Sequence, residues 1–230
     1  MYQGKTMLIT GSSRGIGKAI ANYFTNLGVK VILTYHNEKI DNGYYLDLKD
    51  ESSIIELANN IKDKYGKIDY LINNAAISLD SYLFDKTKEE FMKVLETNTV
   101  GTFLMMKYFD SIVDGFIFNI SSTDGIDTGN IYSIDYNASK AAINSITKTF
   151  SLASSNKIIS ICPNWVDTKS TRSMNKDYLK EELKRIGQKE LITASTIPRV
   201  IDELIKNDIE TGSIIRIEGD EDVRRIDKKS

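Results

Sequence analysis

Thr10-Gly11-Ser12-Ser13-Arg14-Gly15-Ile16-Gly17 is the stretch from which the fold is read. In front of it the apolar run Met7–Thr10 predicts a strand, and behind it Gly15–Leu27 predicts a helix. Glycine has no Cβ, so Gly11, Gly15 and Gly17 let the main chain turn tightly and let a pyrophosphate approach. The helix start then offers free N–H groups and the positive end of its dipole. A glycine-rich turn by itself fits any strand–helix loop. Placed after the first strand of a strand–helix–strand unit, it predicts a dinucleotide site that includes Ser13, Arg14 and Ile16.

Outward from this turn, short β-rich apolar runs alternate with longer helical patterns. Further strands are predicted at Val29–Thr34, Tyr44–Leu46, Tyr70–Ile72, Phe116–Ile120, Ile158–Ile161 and Ser213–Ile217. Helices are predicted at Ser52–Tyr65, Lys88–Thr97, Val100–Ile112, Asn137–Ser151, Lys176–Ile186 and Ser195–Lys206. This alternation implies an α/β fold, a Rossmann-like doubly wound parallel sheet of about seven strands in the order 3-2-1-4-5-6-7, with helices on both faces. Eight residues, His36–Gly43, separate the second and third strands. A helical crossover needs about ten or more, so a turn is expected there. With no repeat, low-complexity tract or linker, residues 1–230 are expected to form one domain with a small lid around 168–195. The charge-dense end, Asp220–Ser230, is expected to be a mobile or partner-contacting tail.

Hydrophobic residues make up 41% of the 230, enough for a sizeable core, and the formal charge is -2. That charge gives no reason to expect nucleic acid or an anionic membrane as a partner. No apolar run is long enough to span a bilayer. The single cysteine, Cys162, lies in an apolar run, reads as a small buried hydrophobe, and is compatible with a reducing cytoplasm. No signal peptide is expected from the start of the chain.

Tyr136-Asn137-Ala138-Ser139-Lys140 puts a phenol and an ammonium on one helix face at i,i+4. A tyrosine hydroxyl titrates at about 10. A cation one turn away should lower that value and make Tyr136 a usable proton donor or acceptor. The same spacing also occurs by chance as a surface pair. Ser122 lies fourteen residues earlier, at a strand end.

Taken together, these motifs resemble the short-chain dehydrogenase/reductase family in its single-domain form, over nearly the whole chain. Its T-G-x-x-x-G-x-G motif is met by Thr10, Gly11, Gly15 and Gly17. Asn73-Asn74-Ala75-Ala76 is similar to its N-N-A-G, and Leu46–Asp50 to its D-V-T-D segment. Phe118–Ser122 is similar to its N-I-S-S, and Pro163–Thr168 to its P-G-x-V-x-T, with Asn164 in place of glycine. Asparagine is the residue next best able to take the left-handed conformation expected there. The resemblance implies a catalytic set of Asn98, Ser122, Tyr136 and Lys140, with Ser121 as the competing serine. It implies that Asn98 kinks a helix and that Lys140 also holds the nicotinamide ribose. It assigns Asp47 and Leu48 to adenine, Asn74 and Ala75 to the adenosine half, and Val166 and Thr168 to the carboxamide.

The second strand ends Thr34-Tyr35-His36-Asn37, with no carboxylate for ribose hydroxyls. Arg14 can reach a 2′-phosphate, and Tyr35 and His36 can add contacts. NADP(H) is therefore expected over NAD(H), and no metal is expected. The polar segments after Ser122 and Thr168 suggest a small polar or acyl-type carbonyl substrate. Helices Val100–Ile112 and Asn137–Ser151 are, by resemblance, faces of a homodimer or homotetramer. A dinucleotide-binding sensor without turnover is the alternative reading.

Overall fold

In the computed structural model, which describes residues 1–226, the first strand, β1 (Thr6–Ile9), is buried at every position. Met7 and Ile9 pack into one hydrophobic layer and Leu8 into the other. A strand apolar on both faces belongs inside a parallel sheet covered by helices on both sides. The chain continues through α1 (Gly15–Asn26), β2 (Lys30–Tyr35), β3 (Tyr44–Tyr45), α2 (Glu51–Tyr65) and β4 (Ile68–Asn73). Next come α3 (Lys88–Leu95), a π-helical turn (Glu96–Val100), α4 (Gly101–Phe109) and β5 (Val113–Ile120). A 3₁₀ turn (Thr123–Gly125), α5 (Ile134–Phe150), β6 (Lys157–Pro163) and β7 (Val166–Asp167) follow. The last elements are α6 (Lys169–Arg172), α7 (Lys176–Arg185), β8 (Ile192–Thr193), α8 (Thr196–Lys206), β9 (Ile214–Ile217) and β10 (Val223–Ile226).

Among the described residues the main sheet runs β3-β2-β1-β4-β5-β6-β9-β10. It is parallel except for β10, which pairs antiparallel with β9. With β9 as the seventh strand, the order is the one expected. One core, with Ile20, Phe24, Ile197 and Ile201, fills the face under α1 and α8. The other, with Ile54, Leu57, Ile61, Met105 and Phe109, fills the face under α2 and α4. The strand order reverses between β1 and β4, and ligands of such sheets bind beyond the strand ends at that point.

Two features differ from expectation. The tail was expected to be mobile or partner-contacting, and Val223–Ile226 of it is a strand. A turn closed by Asp222 N–H to Gly219 O (3.3 Å) and Glu218 N–H to Asp222 O (2.9 Å) folds it back onto β9. The end of that tail, 227–230, lies outside the described residues. The two helices predicted around Asn98 are one continuous helix with a π turn between α3 and α4. Such turns insert one extra residue into a helix and are frequent at functional sites. The expected loss of the helix between β2 and β3 is observed. A turn with Gly43 N–H bonded to Ile40 O (3.0 Å) carries the chain directly into parallel pairing of Thr34 with Tyr44.

Candidate active site

The glycine turn leaves β1 at the switch point. Gly11 and Gly15 have φ of +65° and +57°, in the left-handed region that favours glycine. At Gly17 the constraint is space, since a Cβ would stand 2.4 Å from Gly11 O and 2.5 Å from Asn74 Nδ2. The turn is held from behind. Thr10 Oγ1 accepts from the N–H groups of Asn74 (2.9 Å) and Ala75 (3.0 Å). Asn74 Nδ2 donates to Thr10 O (2.9 Å) and Gly11 O (3.0 Å). Ser12 Oγ donates to Thr34 O (3.0 Å), and Gly11 N–H donates to Thr34 Oγ1 (3.2 Å). No side chain caps α1 and no acidic residue sits in its first turn, so its leading N–H groups remain free for a phosphate. This cradle fits a dinucleotide. Asn74 itself serves the turn, and Ala75 packs beneath Gly11.

Beyond the turn opens a cavity of about 360 Å³. Arg14, Gly15, Ile16 and Asn74 line one part, and Ser122, Tyr136, Lys140, Trp165, Val166 and Thr168 line the rest. Ser122 stands just past β5, where its Oγ accepts from Asp124 N–H (3.1 Å) and starts the 3₁₀ turn. It also stands near the Tyr136 hydroxyl, whose pKa it acts to lower. Ser121, the competing serine, donates its hydroxyl to Lys140 O (3.0 Å), a structural contact.

The electrostatics of the pair depart from expectation. Lys140 was expected to lower the pKa of Tyr136. Instead the phenol is pushed well above its usual value, first by burial and next by the nearby Asp124 carboxylate, with Ser122 opposing. Lys140 Nζ lies 5.2 Å from the ring centroid and donates to Ile120 O (2.7 Å). Burial lowers the pKa of Lys140 to about 8. The cavity thus holds Tyr136 as a neutral phenol and a proton donor.

Asn98 lies in the π turn, fully buried. Its amide accepts from Ile77 N–H (2.9 Å) and donates to Ile77 O (2.9 Å) and Ser139 Oγ (3.1 Å). It therefore pins the segment after β4 to α5 and does not line the cavity. Thr168 caps α6 through Thr171 N–H (3.3 Å), and its methyl group would be 3.8 Å from a Cβ on Gly15. Asn164 was expected to be left-handed, but the only non-glycine positive-φ residues among those described are Asn42 and Asp208. Its N–H instead bonds Ile217 O (2.9 Å), extending the sheet, and its Oδ1 accepts from Thr123 Oγ1. The charged lid helix α7 buries none of its residues. It is tied down by Asn130 Nδ2 to Tyr178 OH (2.7 Å) and by Arg185 to Thr128 O (2.9 Å) and Gly129 O (2.7 Å).

Tyr35, His36, Asp47 and Leu48 stand apart from this cavity, around the ends of β2 and β3. His36 stacks on Tyr45 at 5.8 Å, and its Nε2 lies 3.5 Å from Asp47 Oδ2. Tyr35 meets Tyr45 edge-on at 6.1 Å. Asp47 Oδ1 accepts from Lys49 N–H (2.9 Å), and Leu48 is buried against Gly101. Among the described residues no cluster of side chains could hold a metal ion.

Two features went unread in the sequence. Asp135 Oδ1 accepts from Tyr136 N–H (2.9 Å), while its Oδ2 lies 3.0 Å from Lys86 Nζ in a buried ion pair. Lys86 also donates to Leu79 O, which ties the loop after β4 to the residue beside Tyr136. The second feature is Asp124, whose carboxyl burial holds above the usual range. Its place in the polar segment between Ser122 and Tyr136 was the available signal.

A family model described as short chain dehydrogenase matches residues 5–179. The 3-oxoacyl-(acyl-carrier-protein) reductase FabG of Thermotoga maritima is 31% identical, over 94% of this chain and 97% of its own length. The enzyme of the same name from Buchnera aphidicola is 32% identical, over 94% and 96%. A solved structure described as ElxO with NADP bound is 30% identical with a TM-score of 0.79, covering 94% of this chain and 97% of its own.

Proposed function

The chain belongs to the short-chain dehydrogenase family and is an NAD(P)-dependent oxidoreductase acting between CH–OH and C=O groups; from that premise we propose that it reduces a small polar or acyl-type carbonyl compound with NADPH, Tyr136 giving the proton. The observation that carries the reading is the Tyr136 hydroxyl beside Ser122, in a cavity that also reaches the glycine turn. When bound, the nicotinamide supplies the hydride. Ser122 and Tyr136 hold the carbonyl oxygen and stabilise the charge that develops on it. Tyr136, kept neutral by burial, delivers its proton to that oxygen. Lys140, still largely protonated at neutral pH, holds the ribose and restores the charge balance around Tyr136. Asn98, Asn74 and Thr10 act as positioning residues, holding the cavity wall and the turn.

The preference for NADPH is supported by Arg14 at the cavity, by the absence of a carboxylate at the end of β2, and by a relative described with NADP bound. Residues 1–230 are proposed as one domain with its lid at 168–195. Val100 at the end of the π turn and Phe103 on α4, both exposed, support a homodimer or homotetramer. Among the described residues no helix is long and apolar enough to cross a membrane. A cytoplasmic location is proposed.

A carbonyl and alcohol panel followed by NADPH absorbance tests the function. Turnover should be found, should favour NADPH over NADH at limiting concentration, and should vanish in Tyr136→Phe while NADPH binding persists. A panel without turnover overturns the reading, and a clear NADH preference overturns the cofactor choice. Arg14→Ala should narrow the NADPH preference by about 10-fold.

A further inference from the structure

We propose that Asp124 selects carbonyl substrates bearing a hydroxyl on the carbon next to the reacting one, an inference that rests on the reductase reading above.

Asp124 is the middle residue of the 3₁₀ turn Thr123–Gly125 and lines the cavity together with Ser122, Tyr136 and Trp165. The turn is pressed against α5 at Lys140. A Cβ on Gly125 would stand 2.5 Å from Lys140 C and 2.6 Å from Ala141 N, so only glycine allows this approach. Asn144 Nδ2 adds a bond to Gly125 O (3.1 Å). Asp124 is therefore held at a set place relative to Tyr136, and its N–H is bonded to Ser122 Oγ (3.1 Å).

One carboxylate oxygen, Oδ1, accepts from Thr128 Oγ1 (2.8 Å). Among the described residues no cation forms an ion pair with the group. Arg185, whose charge acts on it, is engaged with Glu182 and with the carbonyls of Thr128 and Gly129. A second carboxylate, Asp80, lines the same cavity and accepts from Ser78 Oγ (2.7 Å) and Ser133 Oγ (3.2 Å). The substrate side thus presents two acceptors. Its lining cations, Arg14, Lys140 and Lys169, belong to the glycine turn, the ribose-holding position and the lid.

A half-buried carboxylate facing a cavity needs a donor. A hydrocarbon chain there would desolvate its other oxygen without giving it a donor, and an anionic substrate would be repelled. A hydroxyl next to the carbonyl satisfies it. With the carbonyl oxygen held by Ser122 and Tyr136, the neighbouring hydroxyl lies in the same cavity that Asp124 lines and can donate to it. The preference differs from that expected for a plain oxoacyl chain, in which the flanking carbon carries no donor.

The test uses hydroxyacetone and butanone, a pair differing in a hydroxyl against a methyl group. For the wild-type enzyme with NADPH, kcat/KM should favour hydroxyacetone by about 10- to 100-fold, as a charge-assisted hydrogen bond gives. Asp124→Val should reverse that order by slowing hydroxyacetone and speeding butanone, and turnover of butanone shows that the variant is folded. Asp124→Asn, which keeps the shape and one acceptor oxygen, should fall between. Trp165 is the only tryptophan and lines the cavity. Its fluorescence in the cofactor-free protein gives a second readout, with hydroxyacetone binding weaker in Asp124→Val by a similar factor. A wild-type enzyme indifferent to the hydroxyl, or a ratio unchanged in Asp124→Val, overturns the inference and leaves the reductase reading intact. Absence of turnover on every carbonyl tried overturns both.

Discussion

Replacing Lys140 by Met should stabilise the cofactor-free protein at neutral pH while removing its activity. Lys140 is fully enclosed, and burial lowers its pKa from 10.5 to about 8. Such a fall corresponds to roughly 3 kcal/mol of destabilisation when the group is charged. Loss of the bond from Nζ to Ile120 O takes back about 1 kcal/mol. The net gain is about 2 kcal/mol, or about 4–8 °C in Tm for a chain of this size. The sign follows from proton binding. Below about pH 8 both folded and unfolded chains carry the proton, and the wild-type penalty is complete. Between 8 and 10.5 only the unfolded chain holds it, so rising pH favours the fold and relieves the penalty. At pH 10 roughly 1 kcal/mol remains, and the advantage of Lys140→Met should disappear. Thermal unfolding of both proteins at pH 7 and pH 10, without cofactor, measures this directly. A variant that melts below wild type at pH 7, or that keeps the same advantage at both pH values, would refute the electrostatic account.

Ser122→Ala should lower kcat by about 100- to 1,000-fold with little change in Tm, while Ser121→Ala should mainly lower Tm by removing the tie to Lys140 O. Steady-state kinetics beside thermal melts separate the two, and the opposite pattern would reassign the catalytic serine. Gly17→Ala forces a Cβ against Gly11 O and Asn74 Nδ2, at a cost of about 1–3 kcal/mol. NADPH binding by fluorescence titration should weaken, or Tm should fall, by that amount; a variant with wild-type values for both contradicts the geometry.

Much of the fold was legible because its signals are local. The runs around Gly11–Gly17 change period from strand to helix within a few residues. The shortness of His36–Gly43 alone excluded a crossover helix. Glycine at 11, 15 and 17 was readable as a phosphate turn, although Gly17 owes its identity to the distant Asn74 amide. Asn98 was expected in the catalytic set, but its contacts are with Ile77 and Ser139, which only packing brings to it. The strand Val223–Ile226 was missed because charged residues mark an exposed edge as well as they mark a tail.

What sequence by itself determined is the element order, the tight glycine turn and the i,i+4 placement of Tyr136 and Lys140, all consequences of spacing along one chain segment. Tertiary structure alone decided the protonation of that pair and what surrounds it. Burial keeps the phenol neutral and lowers the lysine, Lys86 reaches Asp135 from a separate loop, and Asp124 is turned toward the cavity. Spacing sets which side chains share a helix face. The charge they carry depends on how much water and which carboxylates the other elements leave beside them.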